Sequence, residues 1–329
     1  MPDSTGKSIK ILSIDGGGIR GIISAVILRE LLQRVGRPAH ETFDLIAGTS
    51  TGGIIALALG TPANQGAPYS PAELLQLYFE NGRTIFDKNL LTLLRQVIFP
   101  KYSPRGLEGV LARFFGTILF QRALTPLLIS SYDLQAQIPY FFKSHRIHAD
   151  KNFDWKVADI ARATSAAPTY FPPLHLENAS ENLALVDGGV YVNNPAMAAY
   201  AEARALYPTA TQFVVTAVGT GNRQDHILFQ KAKSWGLICW ATKIIPVFMD
   251  SVSEAVDYEL GHLPGCTFFR LQPPDLGKAS NQMDDVELEN LNALQEVAEE
   301  YLALNPQLVS SAVNSLVGGR GGNMPGIGR

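Results

Sequence analysis

The chain has 329 residues, of which 46% are hydrophobic and 17% are charged, and its formal net charge at pH 7 is −3. This is enough apolar material for a substantial buried core, and the length suits one large or two small domains. No nucleic-acid partner is expected, because that would need clustered Lys and Arg residues. Cys239 and Cys266 are too few for a disulfide framework and are expected to be ordinary thiols.

The first ten residues, MPDSTGKSIK, are polar and lack the apolar segment of a signal peptide. No stretch of the sequence reaches the roughly 18 uninterrupted apolar residues of a membrane span. We therefore expect a cytoplasmic protein whose contact with membranes is at most peripheral.

Segments with strand-like and helix-like patterns alternate along the chain, which predicts a mostly parallel sheet covered by helices on both faces. Apolar segments at 10–14 and 43–47 are predicted strands, and residues 22–33 and 54–59 follow them with helical spacing. Ser70-Pro71-Ala72-Glu73 combines an N-cap serine, an early proline and a capping glutamate, so it predicts a helix start. Further strands are predicted at 126–131, 139–143, 183–186, 213–218 and 267–271.

Residues 84–120 combine many Leu, Ile and Phe residues with five basic residues, Lys88, Arg95, Lys101, Arg105 and Arg113. Two interpretations stay open for this segment: one or two packed helices, or an amphipathic flap that touches a lipid surface. The last segment, VGGRGGNMPGIGR at 317–329, is rich in glycine and is expected to be disordered. We therefore predict one domain at residues 1–316 followed by this tail.

A serine lies among glycines where the second predicted strand ends. Gly48-Thr49-Ser50-Thr51-Gly52 matches G-x-S-x-G between a strand and a helix, which is the context that a nucleophile elbow requires. Its glycines let the chain turn sharply, so that the serine oxygen projects from the sheet edge. The helix that follows aims unpaired N–H groups and its dipole at the same point. Ser50 is therefore a predicted nucleophile, and the alternative is a glycine-rich turn with a capping serine.

The motif DGGGIRG at 15–21 also joins a strand to a helix, and its glycines spell the dinucleotide fingerprint G-x-G-x-x-G. A dinucleotide site would need an acidic residue at the end of the second strand, whereas Asp44 lies at the start of that strand. The other use for these glycines is an oxyanion hole built from the backbone N–H groups of residues 16–18. Three roles stay open for Arg20: orienting the loop, meeting a lipid phosphate, or pairing with a carboxylate.

The candidate base is an aspartate, because LVDGG places Asp187 at the end of an apolar strand and before two glycines. An exposed aspartate, with a reference pKa of about 3.9, is a poor base near neutral pH, but burial raises that pKa. A carboxylate held against the serine hydroxyl can then accept its proton. The alternative is a simple Asp-Gly turn. The strand-end context is absent around all six histidines: His40, His145, His148, His175, His226 and His262.

In order and context, DGGGIRG, GTSTG and DGG resemble the motifs of the patatin-like phospholipase family. ARATSAAPTYFPP at 161–173, Asn193-Asn194-Pro195 and AVGTG at 217–221 resemble the secondary blocks of the same family. The resemblance covers most of the chain, from about residue 8 to about residue 275. It implies a three-layer α/β/α sandwich with a mostly parallel sheet, related to the α/β hydrolases.

The resemblance also implies a lipid acyl hydrolase, a phospholipase A or esterase, in which Ser50 attacks the ester and Asp187 is the base. Arg20 is a candidate substrate-orienting residue. No metal and no organic cofactor is expected, and the implied partner is a phospholipid or another acyl lipid, with transient contact to a membrane surface. The alternatives are a non-catalytic lipid-binding protein and a dinucleotide-binding oxidoreductase. The implied oxyanion hole consists of the backbone N–H groups of Gly16, Gly17, Gly18 and Thr51.

Overall fold

A computed structural model of the chain describes residues 8–63, 66–87, 100–223 and 227–318. In chain order its strands are β1 (Ile9–Ile14), β2 (Leu45–Gly48), β3 (Leu127–Asp133), β4 (Ile138–Lys143), β5 (Leu174–Glu177), β6 (Asn182–Asp187), β7 (Phe213–Val218) and β8 (Cys266–Leu271). All eight belong to one sheet with the order β5-β6-β3-β2-β1-β7-β8, and β4 pairs with β3 off this path. The predicted glycine-rich tail lies outside the described residues from position 319 onward.

Helices cover both faces of this sheet. Strand β1 shows why, since Ile9 and Ile11 contribute to one buried cluster, while Leu12 and Ile14 contribute to another. Alternate residues of a strand point to opposite faces, so an apolar strand of this kind needs a helical layer on each side. The α-helices of the described ranges are α1 (Gly21–Val35), α2 (Ala39–Thr42), α3 (Thr51–Gly60), α4 (Pro71–Ile85), α5 (Pro104–Phe115), α6 (Val157–Thr164), α7 (Ala196–Leu206), α8 (Phe229–Ala232), α9 (Leu237–His262), α10 (Leu288–Leu304) and α11 (Pro306–Val317).

The two cores differ in size and in the helices that close them. The larger one is covered by α1 to α6 with α10 and α11, and the smaller one is covered by α7 and the second half of α9. Strand pairs β1–β2, β1–β7, β2–β3 and β7–β8 are parallel. The pairs β3–β4, β3–β6 and β5–β6 are antiparallel. The predicted α/β/α sandwich with a mostly parallel sheet is therefore confirmed, and its antiparallel part lies around β3.

Strand β5 is the one that the sequence pattern did not predict. It has four residues, of which Leu176 is buried while His175 and Glu177 are exposed. Its residues, Leu-His-Leu-Glu, alternate between apolar and polar, but four residues are too few for this pattern to distinguish a strand. Strand β2 begins two residues later than predicted, because the N–H of Phe43 still bonds to Ala39 O and closes the preceding helical turn.

The segment at 84–120, for which two interpretations were open, is described only in part. Helix α5 lies in this segment and buries four apolar side chains, Leu107, Val110, Leu111 and Phe115. That half of the segment is packed into the larger core. Residues 88–99, where the flap hypothesis would apply, lie outside the described residues.

The arrangement around β3 determines where the polar strand ends meet. Strand β4 pairs with β3 throughout 128–133, so it occupies one edge of β3. The other edge is shared, because β2 pairs with residues 127–129 and β6 with residues 131–133. Strand β2 is parallel to β3 and β6 is antiparallel to it, so their carboxyl ends point toward each other along this edge. The turn after Gly48 and the side chain of Asp187 are thereby brought together.

The predicted start of α4 is confirmed and provides a stability test. Ser70 Oγ accepts the N–H of Glu73 at 3.3 Å, and Glu73 Oε2 accepts the N–H of Ser70 at 2.7 Å. Ser70→Ala removes this capping box and should lower the free energy of unfolding by about 1 kcal/mol in urea titrations. Ser103→Ala is the matched control, because Ser103 caps α5 through one bond of 3.4 Å, and its loss should be smaller. Equal losses in the two variants would contradict this account.

Candidate active site

Ser50 occupies a strained turn between β2 and α3. Its backbone has φ 56° and ψ −125°, a conformation that residues other than glycine rarely adopt. The flanking glycines leave no space for a side chain. A Cβ atom on Gly48 would lie 2.2 Å from the carbonyl oxygen of Gly52, and one on Gly52 would lie 2.2 Å from that of Ile14. The G-x-S-x-G spacing is therefore a steric requirement of this turn.

Neighbouring elements hold the turn in place through hydrogen bonds. The N–H of Ser50 donates to Thr164 Oγ1 at the end of α6, at 2.9 Å. The hydroxyl of Thr49 donates to Val192 O at 2.7 Å and lies 2.7 Å from Ser130 Oγ. The backbone around Ser50 is thus fixed from three sides, and its own N–H already has an acceptor.

Asp187, at the end of β6, is buried. The N–H of Gly189 donates to Asp187 Oδ1 at 2.8 Å. Burial raises the pKa of the carboxyl to about 7, although the nearby side chain of Ser50 and the N–H of Gly189 both lower it. The structure therefore places a group that can take up a proton near neutral pH directly beside a hydroxyl.

The first glycine loop runs past this pair. A Cβ atom on Gly16 would lie 3.2 Å from the Cβ of Ser50 and 2.5 Å from Asn193 Oδ1, so only glycine fits there. The N–H of Gly16 donates to Asn193 O at 3.0 Å, and its carbonyl accepts the hydroxyl of Thr220 at 2.9 Å. The predicted secondary blocks around 193–195 and 217–221 thus anchor the loop.

Not all of the predicted oxyanion donors are equally available. The N–H of Gly16 is already bonded to Asn193 O. The N–H groups of Gly17, Gly18 and Thr51 make no hydrogen bond to any residue that the structure describes. Gly18 has a positive φ of 59°, and a Cβ there would lie 2.3 Å from Met283 O. Among the described residues, the loop thus has two N–H groups without an acceptor, at Gly17 and Gly18, and the first turn of α3 has a third, at Thr51.

Arg20 is buried next to the same loop. Its Nε and Nη1 atoms lie 3.5 Å from the carbonyl oxygens of Gly17 and Gly221, respectively. Burial, together with the nearby charge of Arg223, lowers the pKa of its guanidinium to about 10. These contacts tie Arg20 to the backbone of the loop, and its action on a lipid phosphate stays a prediction.

Sequence reasoning missed a buried ion network behind the glycine loop. Arg270 Nη2 donates to Asp15 Oδ2 at 2.6 Å, and Arg270 Nε lies 3.0 Å from Asp257 Oδ2. Asp257 Oδ1 accepts the side-chain amide of Asn194 at 2.9 Å. Arg270 and Asp257 thereby link Asp15, next to Gly16, with Asn194, next to Asn193. The available signal was one arginine inside the apolar strand CTFFRL, since a charge in such a strand needs a buried partner.

None of the histidines in the described residues forms a hydrogen bond with Ser50. The ring of His175 bonds to Asn182, that of His262 bonds to Tyr258 O, and that of His145 pairs with Glu202. His226 lies outside the described residues. Within the described ranges, no cluster of three or more His, Cys, Asp or Glu side chains is arranged to hold a metal ion.

The position of Asp44 argues against the alternative of a dinucleotide-binding oxidoreductase. Its Oδ2 accepts the N–H of Lys10 at 2.9 Å, near the beginnings of β1 and β2. The glycine loop follows the opposite, carboxyl end of β1, so Asp44 is not placed to hold a ribose beside it.

A strained serine turn, a buried carboxyl and a glycine loop lie together at the ends of β2, β6 and β1. Residues 12–200 match the model of the family described as patatin-like phospholipase. The chain is 32% identical to patatin-like protein 1 of Arabidopsis thaliana, an alignment that covers 92% of this chain and 83% of that protein. It is also 32% identical to patatin-17 of Solanum cardiophyllum, over 90% of this chain and 84% of the relative. The chain therefore belongs to the patatin-like phospholipase family.

Among solved structures, the chain is similar to VipD from Legionella pneumophila. The two share 14% sequence identity with a TM-score of 0.41, over 93% of this chain and 67% of VipD. In the described part of the chain, no helix is both long enough and apolar enough to cross a bilayer.

The buried ion network makes a testable contribution to stability. Arg270→Met leaves Asp15 and Asp257 without their cation, so the free energy of unfolding at pH 8 should fall by about 3–5 kcal/mol. Burial already raises the pKa of Asp15 and raises that of Asp257 to about 6, and losing the cation raises both further. Both carboxyls can then protonate at pH 5, so the loss measured in urea should shrink there.

The matched control is Arg83→Met, because Arg83 and Glu287 form an exposed ion pair at 3.1 Å. Its loss should stay below about 1 kcal/mol at both pH values. A loss for Arg270→Met that is the same at pH 5 and pH 8 would contradict the electrostatic explanation.

Proposed function

We propose that this protein hydrolyses fatty-acyl esters of lipids, with Ser50 as nucleophile and Asp187 as general base. Membership of the patatin-like phospholipase family supports a lipid acyl hydrolase in general. The observation that supports the finer assignment is the proximity of Ser50 to a buried carboxyl, Asp187, whose pKa burial raises to about 7 and the Ser50 side chain lowers.

The first half of the reaction forms an acyl-enzyme. Asp187 accepts the hydroxyl proton while Ser50 Oγ bonds to the ester carbonyl carbon, whose oxygen takes up the negative charge. When the tetrahedral intermediate collapses, the carbon–oxygen bond to the lipid alcohol breaks. The protonated Asp187 returns its proton to that departing oxygen. A carboxyl with a pKa near 7 suits both steps, because it can gain and lose a proton at neutral pH.

The oxyanion is held by the N–H groups of Gly17 and Gly18, joined by that of Thr51 at the start of α3. Gly16 has a different part in this proposal, because its N–H is bonded to Asn193 O and keeps the loop close to Ser50. Donors that are fixed before the reaction cost no reorganisation, and each is worth about 10²–10³ in rate.

The second half releases the fatty acid. Water replaces the lipid alcohol beside Asp187, which takes one proton from it as the oxygen bonds to the acyl carbon. The same N–H groups hold the new oxyanion. Collapse breaks the bond to Ser50 Oγ, and the proton on Asp187 returns to this oxygen, so that the free enzyme is restored.

Fatty-acid release from a mixed-chain phosphatidylcholine tests this assignment. Ser50→Ala and Asp187→Asn should each lower the rate by about 10⁴-fold or more, because one lacks the nucleophile and the other cannot accept its proton. Mass analysis of the products identifies which ester is cut. Near-normal activity of Asp187→Asn would overturn the assignment of the base.

Labelling with a fluorophosphonate separates an enzyme from a non-catalytic lipid-binding protein. The wild type should be labelled, and Ser50→Ala should not, because only an activated serine oxygen attacks the phosphorus. Circular dichroism of both proteins controls for folding. A wild type that binds phosphatidylcholine but resists the label would favour the lipid-binding alternative.

The raised pKa of Asp187 predicts the pH dependence of catalysis. Only the carboxylate form accepts a proton, so kcat/KM for a soluble ester should rise with pH up to about 7 and then level off. Below the bend, the logarithm of kcat/KM should have a slope of one, because a single group is deprotonated. A profile that keeps the same slope above pH 8, or a bend near pH 4, would contradict this role.

The same carboxyl predicts a stability difference of defined sign. Its folded pKa of about 7 exceeds the unfolded value of about 3.9, so the folded state binds the proton more tightly. Burying the carboxylate therefore costs nothing below about pH 4, and the cost is complete above about pH 7. Asp187→Asn removes that cost and should be more stable than the wild type at pH 8, by up to about 4 kcal/mol. Urea titrations should show this gain disappearing toward pH 4, and a gain equal at both pH values would contradict it.

A further inference from the structure

An unusually apolar surface lies on the segment at 227–249, which contains α8 and the first half of α9. Ile227, Leu228 and Phe229 expose 42%, 58% and 74% of their surface, respectively. Farther along, Trp240 and Phe248 expose 41% and 59%. Large apolar side chains grouped on one segment in this way mark a site of interaction.

The charge of the 227–249 segment differs from that of the whole chain. Its 23 residues contain three lysines, Lys231, Lys233 and Lys243, and no Asp, Glu or Arg, although the complete chain has a net charge of −3. Lys231 and Lys233 are exposed beside Phe229. Aromatic and aliphatic side chains interspersed with lysines are typical of helices that lie in the interface of an anionic membrane.

This segment also borders the candidate active site. A Cβ atom on Gly189 would lie 3.7 Å from Met249 Cε, so the end of the segment touches the turn that follows Asp187. Val190, the next residue of that turn, exposes 46% of its surface. About two turns of α9 beyond the segment, Asp257 accepts the side-chain amide of Asn194. The anchored half of α9 thus connects the exposed half to the loops around Ser50.

We propose that the 227–249 segment is the surface that docks on an anionic lipid bilayer and places the Ser50–Asp187 site at the lipid interface. This inference rests on the proposed function. The aromatic side chains that are exposed in the free protein would enter the membrane and supply the apolar part of the binding free energy. The lysines would attract anionic head groups. The segment carries lysines and no acidic residue, so its charge complements an anionic bilayer and not a second copy of the same segment, which is why a bilayer is the favoured occupant.

Binding is measured first without catalysis, in the Ser50→Ala protein, by sedimentation with vesicles of phosphatidylcholine alone or mixed with phosphatidylglycerol. Binding should be tighter to the mixed vesicles. Adding Phe229→Ser and Phe248→Ser should weaken it about tenfold or more, because both side chains would leave the membrane. Adding Lys231→Glu and Lys233→Glu should produce a loss of similar size on the mixed vesicles and little change on phosphatidylcholine alone.

The matched control is Leu304→Ser, because Leu304 exposes 72% of its surface but lies at the end of α10, in the opposite helical layer. It should leave binding unchanged. Equal binding by the Phe229→Ser/Phe248→Ser protein and its parent, or an equal loss in Leu304→Ser, would overturn the proposal. So would a concentration-dependent dimer in sedimentation equilibrium that the two serine substitutions abolish, since the occupant would then be a second copy.

Hydrolysis of a soluble short-chain ester separates this inference from the proposed function. With Ser50 intact, the Phe229→Ser/Phe248→Ser protein should hydrolyse the soluble ester within about twofold of the wild-type rate, because the docking surface is not used. Its hydrolysis of mixed vesicles should fall about tenfold or more. Equal falls on both substrates would contradict docking. A wild type inactive on both, yet bound to vesicles through this segment, would contradict the proposed function and leave docking supported.

Discussion

One edge of β3, shared by two strands that run toward each other, is the constraint on which the candidate site depends. Strand β2 ends opposite Ile129 and β6 ends opposite Ser131, so the serine turn and Asp187 meet without any long loop to carry either of them. In a purely parallel sheet, the ends of neighbouring strands lie side by side. Here they face each other along a single line. The antiparallel part of the sheet is therefore what delivers a carboxylate to a serine elbow at the edge of an otherwise parallel α/β fold.

The interaction at this meeting point is maintained against its own energetic cost. A buried carboxyl favours its neutral form, and the nearby Ser50 side chain and the N–H of Gly189 oppose that preference. More donors would hold the carboxylate too firmly for it to accept a proton. Full exposure would return its pKa to the ordinary acidic range. The tight turn around Gly48 and Gly52, which leaves no space for a side chain, holds Ser50 in place beside this carboxyl. Strain at Ser50 and desolvation at Asp187 are thus two costs that the large apolar core offsets.

Features that depend on short stretches of chain were predictable, and those that depend on distant partners were not. The strand–glycine–helix patterns around Gly16 and Ser50 are local, and the capping box at Ser70 is complete within four residues. The bond between Gly16 N–H and Asn193 O joins positions 177 residues apart, and nothing in DGGGIRG shows that this donor is already used. Arg270 and Asp15 are likewise separated by 255 residues. The apolar surface at 227–249 was missed for another reason, since exposure depends on what the rest of the fold leaves uncovered.

The pairing of β6 with β3 has a consequence for the history of this chain. Side chains alternate between the faces of a strand, so a slip of one residue in β6 would turn Asp187 away from the serine and expose a different row of side chains. An insertion between β3 and β6 would therefore preserve the site only where it leaves the ladder and α6 in place, as in the short helical turns of residues 144–153. Within the ladder itself, a single inserted or deleted codon would give a protein that retains most of its core and has no carboxylate at the serine. A descendant with such a change would keep the fold and lose the function that depends on Asp187.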